Sequence, residues 1–394
     1  MKKYAFIIVS VLLLIMGGCA AKKQPPLFPL MQIQPAEYPG FGDDMAYDGL
    51  GHSISQSIKY LRRIPADRTF EFGEDSFDAA HIIRSLEHFM DFTDTRPSSR
   101  ELKEFIEHNY FVYKSSGSDG EGRVLFTGYY EPLLQGSFYE SDEYRFPVYA
   151  RPDDLMTIDL SSFSSEFKGK KITGRLAGQA FLPYHDRREI EQEKVLQDKA
   201  EALVWVNDQV DLFFLQIQGS GKISLDSGEL INVHYHSQNG HPYRSIGKLL
   251  IEEGKILKKE MSMQKLREYL GNHPQEVEAI LNHNPSYVFF SIEEKGPFGA
   301  LNVMLTPGRS IAVDKRVFPM AALAFIETLK PLTDGTGQIL NWTDCTRFVL
   351  NQDTGGAIRG PGRADLFWGS GDYAEIAAGH MQHPGSLYLL VLKQ

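Results

Sequence analysis

The stretch QDTGGAIRGPGRADLFWG, residues 352–369, contains two aspartates, two arginines and five glycines. This many glycines predict tight turns and a backbone that another group approaches closely. Three large apolar residues, the last of them Trp368, follow Asp365 and can supply the low-dielectric surroundings in which an acid keeps its proton near neutral pH. The spacing alone also allows a blander interpretation, with Asp353 in an Asx-turn and Asp365 in an ordinary loop.

Composition limits the classes of partner. The chain has 394 residues, enough for two domains, and a formal net charge of −10. Nucleic-acid binding would need a basic face and is not expected, and contact with an anionic polymer would have to use local arginines and lysines. Two cysteines and scattered histidines have no metal-ligand spacing, so neither a metal nor another cofactor is expected.

The N-terminus has the pattern of a bacterial export signal. Lys2 and Lys3 precede an apolar run that is too short to span a bilayer, which predicts a signal peptide over residues 1–18. Residues 16–19, MGGC, are similar to a lipobox with methionine in place of the usual leucine. This similarity implies acylation of Cys19. Among such lipoproteins, Ala20 in place of an aspartate after the cysteine implies an anchor at the periplasmic face of the outer membrane. An uncleaved signal anchor is the alternative.

The segment after the signal is rich in proline. Residues 19–45 contain five prolines and little periodicity, which predicts a lipidated tether. If Cys19 is acylated, Cys345 has no partner for an intrachain disulfide and is expected to be a small buried residue.

Apolar periodicity predicts most of the regular elements. A helix is predicted over residues 76–92, and Ser98 with Glu101 forms the capping-box pattern that starts a second helix. Residues 319–330 are helix-prone, whereas residues 124–130 are β-like and end at a proline. Other β-like runs lie at 145–150, 210–218, 300–305, 309–313, 346–352 and 386–392, and shorter helical runs at 187–200, 245–253, 262–270 and 275–282.

The 352–369 stretch, taken with Asp314 in RSIAVDKRVFP (309–319), resembles the three-aspartate domain of the membrane-bound lytic murein transglycosylase A family. Further similar segments follow the same order along roughly residues 120–394. They are FTGYYEP at 126–132, FLQIQGSGKI at 214–223, NGHPYRSIGK at 239–248, MSMQ at 261–264 and NPSYVFF at 284–290. The resemblance implies a mainly β fold in which residues 46–135 and 294–394 form a double-psi β-barrel. A second β domain, residues 136–293, is expected as an insertion, with a few packing helices.

The resemblance also implies a set of site residues. Asp365 matches the catalytic aspartate of the family, and Asp353 and Asp314 match two supporting aspartates. Thr127 and Tyr129 are expected to line the cleft. Independently of the resemblance, Trp368 could stack on a sugar ring, a common use of an exposed aromatic side chain. If residues 210–218 form a strand, Gln216 and Gln218 lie on one face of it and could meet sugar hydroxyls.

Three nearby cations have an open role. Arg359, Arg363 and Lys315 could pair with the aspartates or with substrate carboxylates. They could equally form surface ion pairs worth about 0–1 kcal/mol.

The implied reaction needs one carboxylic acid. Protonated Asp365 donates to the oxygen that joins N-acetylmuramic acid to N-acetylglucosamine, and its carboxylate then takes the proton of the muramic C6 hydroxyl. That hydroxyl attacks C1 of its own sugar and forms 1,6-anhydromuramic acid, an intramolecular step with effective molarities of about 10⁵–10⁸ M.

Other interpretations remain open at this point. A hydrolase would pair Asp365 with Asp353 or with Glu131, which is expected to be exposed. A non-catalytic lipoprotein that binds peptidoglycan, or a scaffold for wall-synthesis machinery, is also compatible with the sequence. The expected partners are peptidoglycan glycan strands and the outer membrane, with the protein a monomer that wall-synthesis complexes could recruit.

Overall fold

The computed structural model describes residues 28–394. The predicted signal peptide and the predicted lipidation site, Cys19, lie outside the described residues. Across residues 28–394, no helix combines the length and the apolar character needed to cross a membrane.

The described elements alternate strands with short helices. The strands are β1 Leu30–Gln32, β2 Thr69–Phe72, β3 Asp75–Asp78, β4 Tyr110–Ser115, β5 Val124–Glu131, β6 Leu133–Ser137, β7 Phe146–Tyr149, β8 Met156–Asp159, β9 Lys171–Ala177, β10 Ala180–Pro183, β11 Ala202–Val206, β12 Ser220–Leu225, β13 Leu230–Gln238, β14 Val288–Glu293, β15 Ser310–Ala312, β16 Leu323–Thr333, β17 Ile339–Asp353, β18 Arg363–Ser370 and β19 Gln382–Leu392. The α-helices are α1 Leu50–Leu61, α2 Ala79–Thr93, α3 Ser99–Asn109, α4 Arg187–Glu191, α5 Gln209–Gln218, α6 Ile246–Glu252, α7 Met263–Asn272, α8 Val277–Asn282 and α9 Asp372–His380.

Six strands close into a barrel. Strands β5, β18, β15, β17, β16 and β19 are hydrogen-bonded in that order, and β19 also pairs with β5, which closes the ring. Two neighbouring pairs, β5 with β18 and β15 with β17, are parallel. Strands β4 and β1 extend the sheet beyond β19. The predicted mainly β fold, with a barrel and a few packing helices, is confirmed.

The helix expected over residues 319–330 is wrong, because most of this segment belongs to strand β16. Residues 323–326 are all buried, since β16 lies between β17 and β19 and both of its faces are covered. Such a strand has a continuous apolar run instead of alternation, and this run cannot be told from a buried helix by its periodicity. The strand predicted at 300–305 is also wrong; Met304 forms only an isolated bridge with Phe298.

Helices α1, α2 and α3 cover one side of the barrel. Helix α2 confirms the helix predicted over 76–92 and begins where the Asp78 carboxylate accepts a hydrogen bond from the backbone N–H of His81 at 2.7 Å. The predicted capping box is present as well, because the backbone N–H of Ser98 donates to Glu101 at 2.8 Å. On β17, Phe348 packs against Phe89 of α2, and Cys345 is buried and unpaired, as predicted.

Residues 30–44 belong to the barrel and not to a tether, so the tether predicted over 19–45 is wrong from residue 30 onward. Strand β1 pairs with β4, and Phe41 is fully buried. Asp43 forms a bidentate ion pair with Arg309 at 2.6 and 2.8 Å, with both side chains buried. The proline-rich composition of this segment gave no indication of the short edge strand. The ion pair could not be predicted because Arg309, the partner of Asp43, is distant in sequence.

The chain leaves the barrel after β5 and returns after β14. Between them a six-stranded sheet has the order β14-β13-β12-β6-β11-β7, and helices α5 to α8 surround a second and a third apolar cluster. The helices predicted at 245–253, 262–270 and 275–282 are confirmed as α6, α7 and α8, but the predicted 187–200 helix is limited to α4.

The strand predicted over 210–218 is wrong, because this segment is helix α5. Asp208 caps the backbone N–H groups of Val210 and Asp211 at 2.7 and 3.0 Å, and Gly219, with φ at 83°, ends the helix. Aspartate before a helix and glycine after it are ordinary start and stop signals. The consecutive apolar residues 212–215 obscured them, since every one is buried.

Candidate active site

The three predicted aspartates meet at one end of the barrel. Asp353 on β17 and Asp365 on β18 are both register partners of Ala312 on β15, and Asp365 is also opposite Thr127 on β5. Neighbouring strands lie about 4.8 Å apart, so the Cα atoms of Asp353 and Asp365 are separated by about 10 Å. Asp314 follows Ala312 by two residues.

Asp365 is held through one of its two carboxylate oxygens. The hydroxyl of Thr127 donates to Oδ1 in a short hydrogen bond, and Arg363 Nε donates to the same oxygen at 3.1 Å. Arg363 Nη2 also donates to the Thr127 hydroxyl oxygen at 3.2 Å. Since arginine only donates, the single Thr127 proton is directed to Asp365. Within residues 28–394, no donor contacts Asp365 Oδ2.

Asp353 uses both of its oxygens. Its Oδ1 accepts hydrogen bonds from the backbone N–H groups of Ala300 and Thr354 at 2.9 and 2.8 Å, and its Oδ2 accepts one from the Tyr129 hydroxyl at 2.9 Å. Burial raises the pKa of Asp353 to about 6, and the neighbouring negative charge of Asp365 adds to this shift. Asp353 therefore ties Tyr129 and the loop before β15 to the site.

Asp314 is held in its ionised form by hydrogen bonds to both carboxylate oxygens. Arg316 donates from Nε to Oδ1 at 2.9 Å and from Nη2 to Oδ2 at 2.6 Å, and the backbone N–H of Gly360 donates to Oδ2 at 2.8 Å. The guanidinium of Arg316 holds the pKa of Asp314 well below its usual range. This aspartate fixes the glycine-rich loop that leads from β17 into β18.

Two predicted substrate-binding side chains are not available to a sugar. Trp368 is only 8% exposed, because it belongs to the barrel core, where it packs against Tyr373. Gln216 is 6% exposed and accepts a hydrogen bond from buried Arg187 at 2.5 Å, so it stabilises the inserted unit. Gln218, in contrast, joins the two units by accepting a hydrogen bond from the backbone N–H of Tyr130 at 3.1 Å.

Glu131 is buried, although exposure was expected. Its side chain is 3% exposed and pairs with Lys222 Nζ at 3.4 Å, and burial raises its pKa. It lies four residues beyond Thr127 on β5, which is about 13 Å along a strand. The two carboxylates of a hydrolase lie about 5–9.5 Å apart, so this distance disfavours Glu131 as the partner of Asp365.

The inserted unit also faces the aspartates. Surrounding protein atoms raise the pKa of Tyr243, although the residue is 42% exposed, and the guanidinium of Arg363 opposes this shift, so the tyrosine lies near the charged group that contacts Asp365. Tyr243 was not singled out from the sequence, and neither was the Ala300 backbone N–H, which has no side-chain signal. Within residues 28–394, no group of three or more His, Cys, Asp or Glu side chains is placed to hold a metal ion.

Two family models match successive parts of the chain. The model for the MltA specific insert domain matches residues 125–291, and the model for the 3D domain matches residues 309–391. The membrane-bound lytic murein transglycosylase A of Escherichia coli K12 is 33% identical over 282 residues, which are 71% of this chain and 68% of that protein. The chain belongs to the membrane-bound lytic murein transglycosylase A family. The Vibrio cholerae member is 29% identical over 282 residues, 70% of this chain and 68% of that protein.

Solved structures of the family have the same fold. The transglycosylase of Agrobacterium tumefaciens superimposes with a TM-score of 0.76 at 30% identity, covering 93% of this chain and 98% of that one. The Neisseria gonorrhoeae MltA gives 0.68 at 29% identity, with 92% of each chain covered. The E. coli MltA with bound chitohexaose gives 0.71 at 25% identity, covering 95% of this chain and 97% of that one.

Proposed function

We propose that this chain is a lytic transglycosylase that cleaves the β-1,4 bond between N-acetylmuramic acid and N-acetylglucosamine in peptidoglycan. Family membership supports the reaction class and the substrate. One observation carries the choice of Asp365 as the acid and base: among the six carboxylate oxygens of Asp314, Asp353 and Asp365, only Asp365 Oδ2 has no hydrogen-bond donor within residues 28–394.

The two halves of the reaction use this oxygen in opposite directions. Protonated Oδ2 gives its proton to the glycosidic oxygen as the C1–O bond breaks. The carboxylate then takes the proton of the C6 hydroxyl as the O6–C1 bond forms, so the enzyme ends in its starting state. Thr127 and Arg363 donate to Oδ1, and they stabilise the carboxylate form that the second half requires.

The remaining polar residues are assigned supporting roles. Asp353 positions Tyr129 at the cleft, Asp314 positions the loop before β18, and Gln218 holds the inserted unit against β5. The glycan strand is expected to pass between the barrel and the inserted unit. Acylation of Cys19 would anchor the enzyme at the periplasmic face of the outer membrane.

A two-carboxylate hydrolase is the second candidate, because the raised pKa of Asp353, about 6, suits an acid near neutral pH. Mass spectrometry of digested cell wall in labelled water separates the two reactions. Anhydro ends support the transglycosylase, whereas reducing ends that contain the label support the hydrolase.

Replacement of the acid tests the assignment. We expect Asp365→Asn to abolish formation of anhydro ends while the melting temperature changes little, because the amide keeps the size of the carboxyl group but cannot exchange a proton. The matched control is Asp226→Asn, at an exposed position, which should keep the wild-type rate. Near-native turnover by Asp365→Asn would show that another group is the acid.

A further inference from the structure

Three strands of the inserted unit form a sheet of their own. Strands β8, β9 and β10 pair antiparallel in the order β10-β9-β8, and none of them pairs with another strand of the described chain. We call residues 156–183 the arm. The arm lies between β7 and helix α4 in the sequence.

The two faces of the arm have opposite chemistry. Residues that are directly opposite each other on paired strands share a face. Met156 is opposite Gly174, Ile158 is opposite Ile172, and Phe181 is opposite Leu176. One face therefore contains only apolar residues: Met156, Ile158, Ile172, Gly174, Leu176, Phe181 and Pro183. The other face contains mainly polar ones, namely Thr157, Asp159, Lys171, Thr173 and Arg175.

The polar face lies against the rest of the protein at Thr173 and Arg175, whereas Lys171 and Asp159 of the same face are more than half exposed. The backbone of Gly240 packs on Thr173, and a Cβ at position 240 would come within 2.8 Å of the Thr173 Cβ. Burial lowers the pKa of His185, and the positive charge of Arg175 lowers it further, so Arg175 also points inward.

The apolar face is consequently left to solvent. Leu176 is 59% exposed, Ile172 42% and Met156 39%. An antiparallel sheet with one solvated face normally turns its apolar side to the core. The arm does the reverse, and a contiguous apolar surface of this kind marks a docking site.

The rim of this face is aromatic and basic. Between β8 and β9, Phe163 is 72% exposed, and Lys170 Nζ lies 5.3 Å from the centroid of the Phe167 ring. Lys168 and Lys171 lie on either side of Lys170 in the sequence. The arm has four basic and two acidic residues, within a chain whose formal net charge is −10.

We propose that the arm rests its apolar face on an anionic lipid surface. Aliphatic and aromatic side chains enter the boundary between headgroups and acyl chains, and lysines at the rim contact lipid phosphates. A glycan strand does not match an aliphatic face. The acidic remainder of the chain is repelled by the same surface, so contact through the arm would orient the enzyme.

The length of the N-terminal segment agrees with this placement. Cys19 precedes the first described residue, Phe28, by nine positions, and that many residues span at most roughly 30 Å. An anchor at Cys19 would hold the folded chain within reach of the bilayer. The proposal rests on this anchor and is independent of the chemistry of Asp365.

A lipid-quenching experiment tests the contact. The lipidated full chain is reconstituted in phosphatidylethanolamine–phosphatidylglycerol vesicles with an environment-sensitive fluorophore on Leu176→Cys. Cys345 is fully buried and should remain unlabelled. The control is Leu340→Cys, which is 62% exposed on β17 and outside the arm. We expect nitroxide-labelled lipids to quench the fluorophore at position 176 and not the one at position 340.

A charge-reversal variant supplies a second test. Lys168→Glu with Lys170→Glu should weaken the contact by at least about thirtyfold, since each lost lysine near an anionic surface contributes about 1 kcal/mol and the two glutamates are in addition repelled. Lys258→Glu with Lys259→Glu changes the charge equally at exposed positions elsewhere and should leave quenching unchanged.

The possible outcomes distinguish a failure of the anchor proposal from a failure of the arm proposal. Failure of the wild-type chain to float with vesicles would contradict the anchor at Cys19. Flotation without quenching at position 176, or equal quenching at both positions, would overturn the arm proposal. Shielding of position 176 from a water-soluble quencher in the absence of both lipid and detergent would also overturn it and would indicate a protein partner, such as a second copy.

Discussion

Arg363 contacts one carboxylate oxygen of Asp365, the proposed acid and base. Its guanidinium contacts Oδ1 at 3.1 Å and so stabilises the carboxylate, which must accept the C6 proton but cannot protonate the glycosidic oxygen. The pair is partly exposed, with 33% and 17% of the two side chains accessible, so solvent moderates the interaction.

This contact predicts a loss of activity when the guanidinium is removed. In Arg363→Met the Asp365 carboxylate loses a charged hydrogen-bond donor, so kcat/KM should fall by about tenfold or more while the melting temperature changes little. Steady-state kinetics and thermal unfolding measure the two effects. Arg359→Met is the matched control, since Arg359 bonds to the Ile358 carbonyl and not to Asp365. Wild-type kcat/KM in Arg363→Met would contradict the role of Arg363.

The burial of Asp353 is predicted to lower the stability of the folded protein at neutral pH. Its pKa of about 6 in the folded protein is above the ordinary aspartate value, so the folded state binds the proton more tightly than the unfolded state. Stability is therefore highest below about pH 4 for this group and falls as the pH rises to about 6. Asp353→Asn should raise stability at pH 7 by up to about 3 kcal/mol and remove this fall.

Denaturant unfolding at several pH values measures both effects. Asp226→Asn, at an exposed position, is the control and should leave the pH dependence unchanged. A parallel pH dependence of Asp353→Asn and wild-type protein would mean that the burial of Asp353 has no net cost. Asp353→Asn should also lower activity, because the amide changes the hydrogen bond that positions Tyr129.

At the scale of elements, a buried ion pair attaches the N-terminal segment to the barrel. Asp43 accepts from both terminal nitrogens of Arg309 and from the backbone of Tyr47 and Phe348. Asp43→Asn would leave a buried guanidinium without its counterion, which typically costs about 3–5 kcal/mol. Chemical unfolding checks this value. Asp48→Asn, in an exposed pair with Arg96, should cost less than about 1 kcal/mol, and equal effects would contradict the prediction.

Patterns of adjacent residues correctly predicted those elements whose boundaries are set by residues close in sequence. The capping box at Ser98, the apolar spacing of α2 and the strand ending at Glu131 all follow from adjacent residues. Strand β16 was predicted as a helix, and helix α5 was predicted as a strand. Both elements are buried on several sides, so β16 lacks the alternation of a half-exposed strand and α5 lacks the polar stripe of a surface helix.

The same limitation applies to the candidate site. The resemblance placed Thr127 and Tyr129 beside the aspartates, and both contact one. The prediction that Trp368 stacks on a sugar is wrong, because successive residues of a strand point to opposite faces. Asp365 and Phe367 share the face of Tyr129, whereas Trp368 points into the core. Gln216 failed because its orientation depends on α5 being a helix.

At the scale of the whole molecule, the barrel and the inserted unit meet at an ion pair in which the carboxylate is buried and the lysine is partly exposed. Glu131 ends β5, and Lys222 lies on β12 of the six-stranded sheet, with 3.4 Å between the charged groups. Gln218 adds a hydrogen bond at the same junction. The two walls of the proposed cleft are therefore joined next to the point where the chain crosses between them.

This junction predicts pH-dependent stability in a charge-deletion variant. Burial raises the pKa of Glu131, and Lys222 opposes that shift, so Lys222→Met should raise the pKa further. A carboxyl group with a raised pKa loses stability as the pH rises through it, so the variant should lose more melting temperature at pH 8 than at pH 4. Thermal unfolding at both values measures this. Lys248→Met, from an exposed pair with Glu252, is the control. An equal loss at both pH values would mean that Lys222 contributes packing only, and that the junction is held by Gln218 and the surrounding apolar contacts.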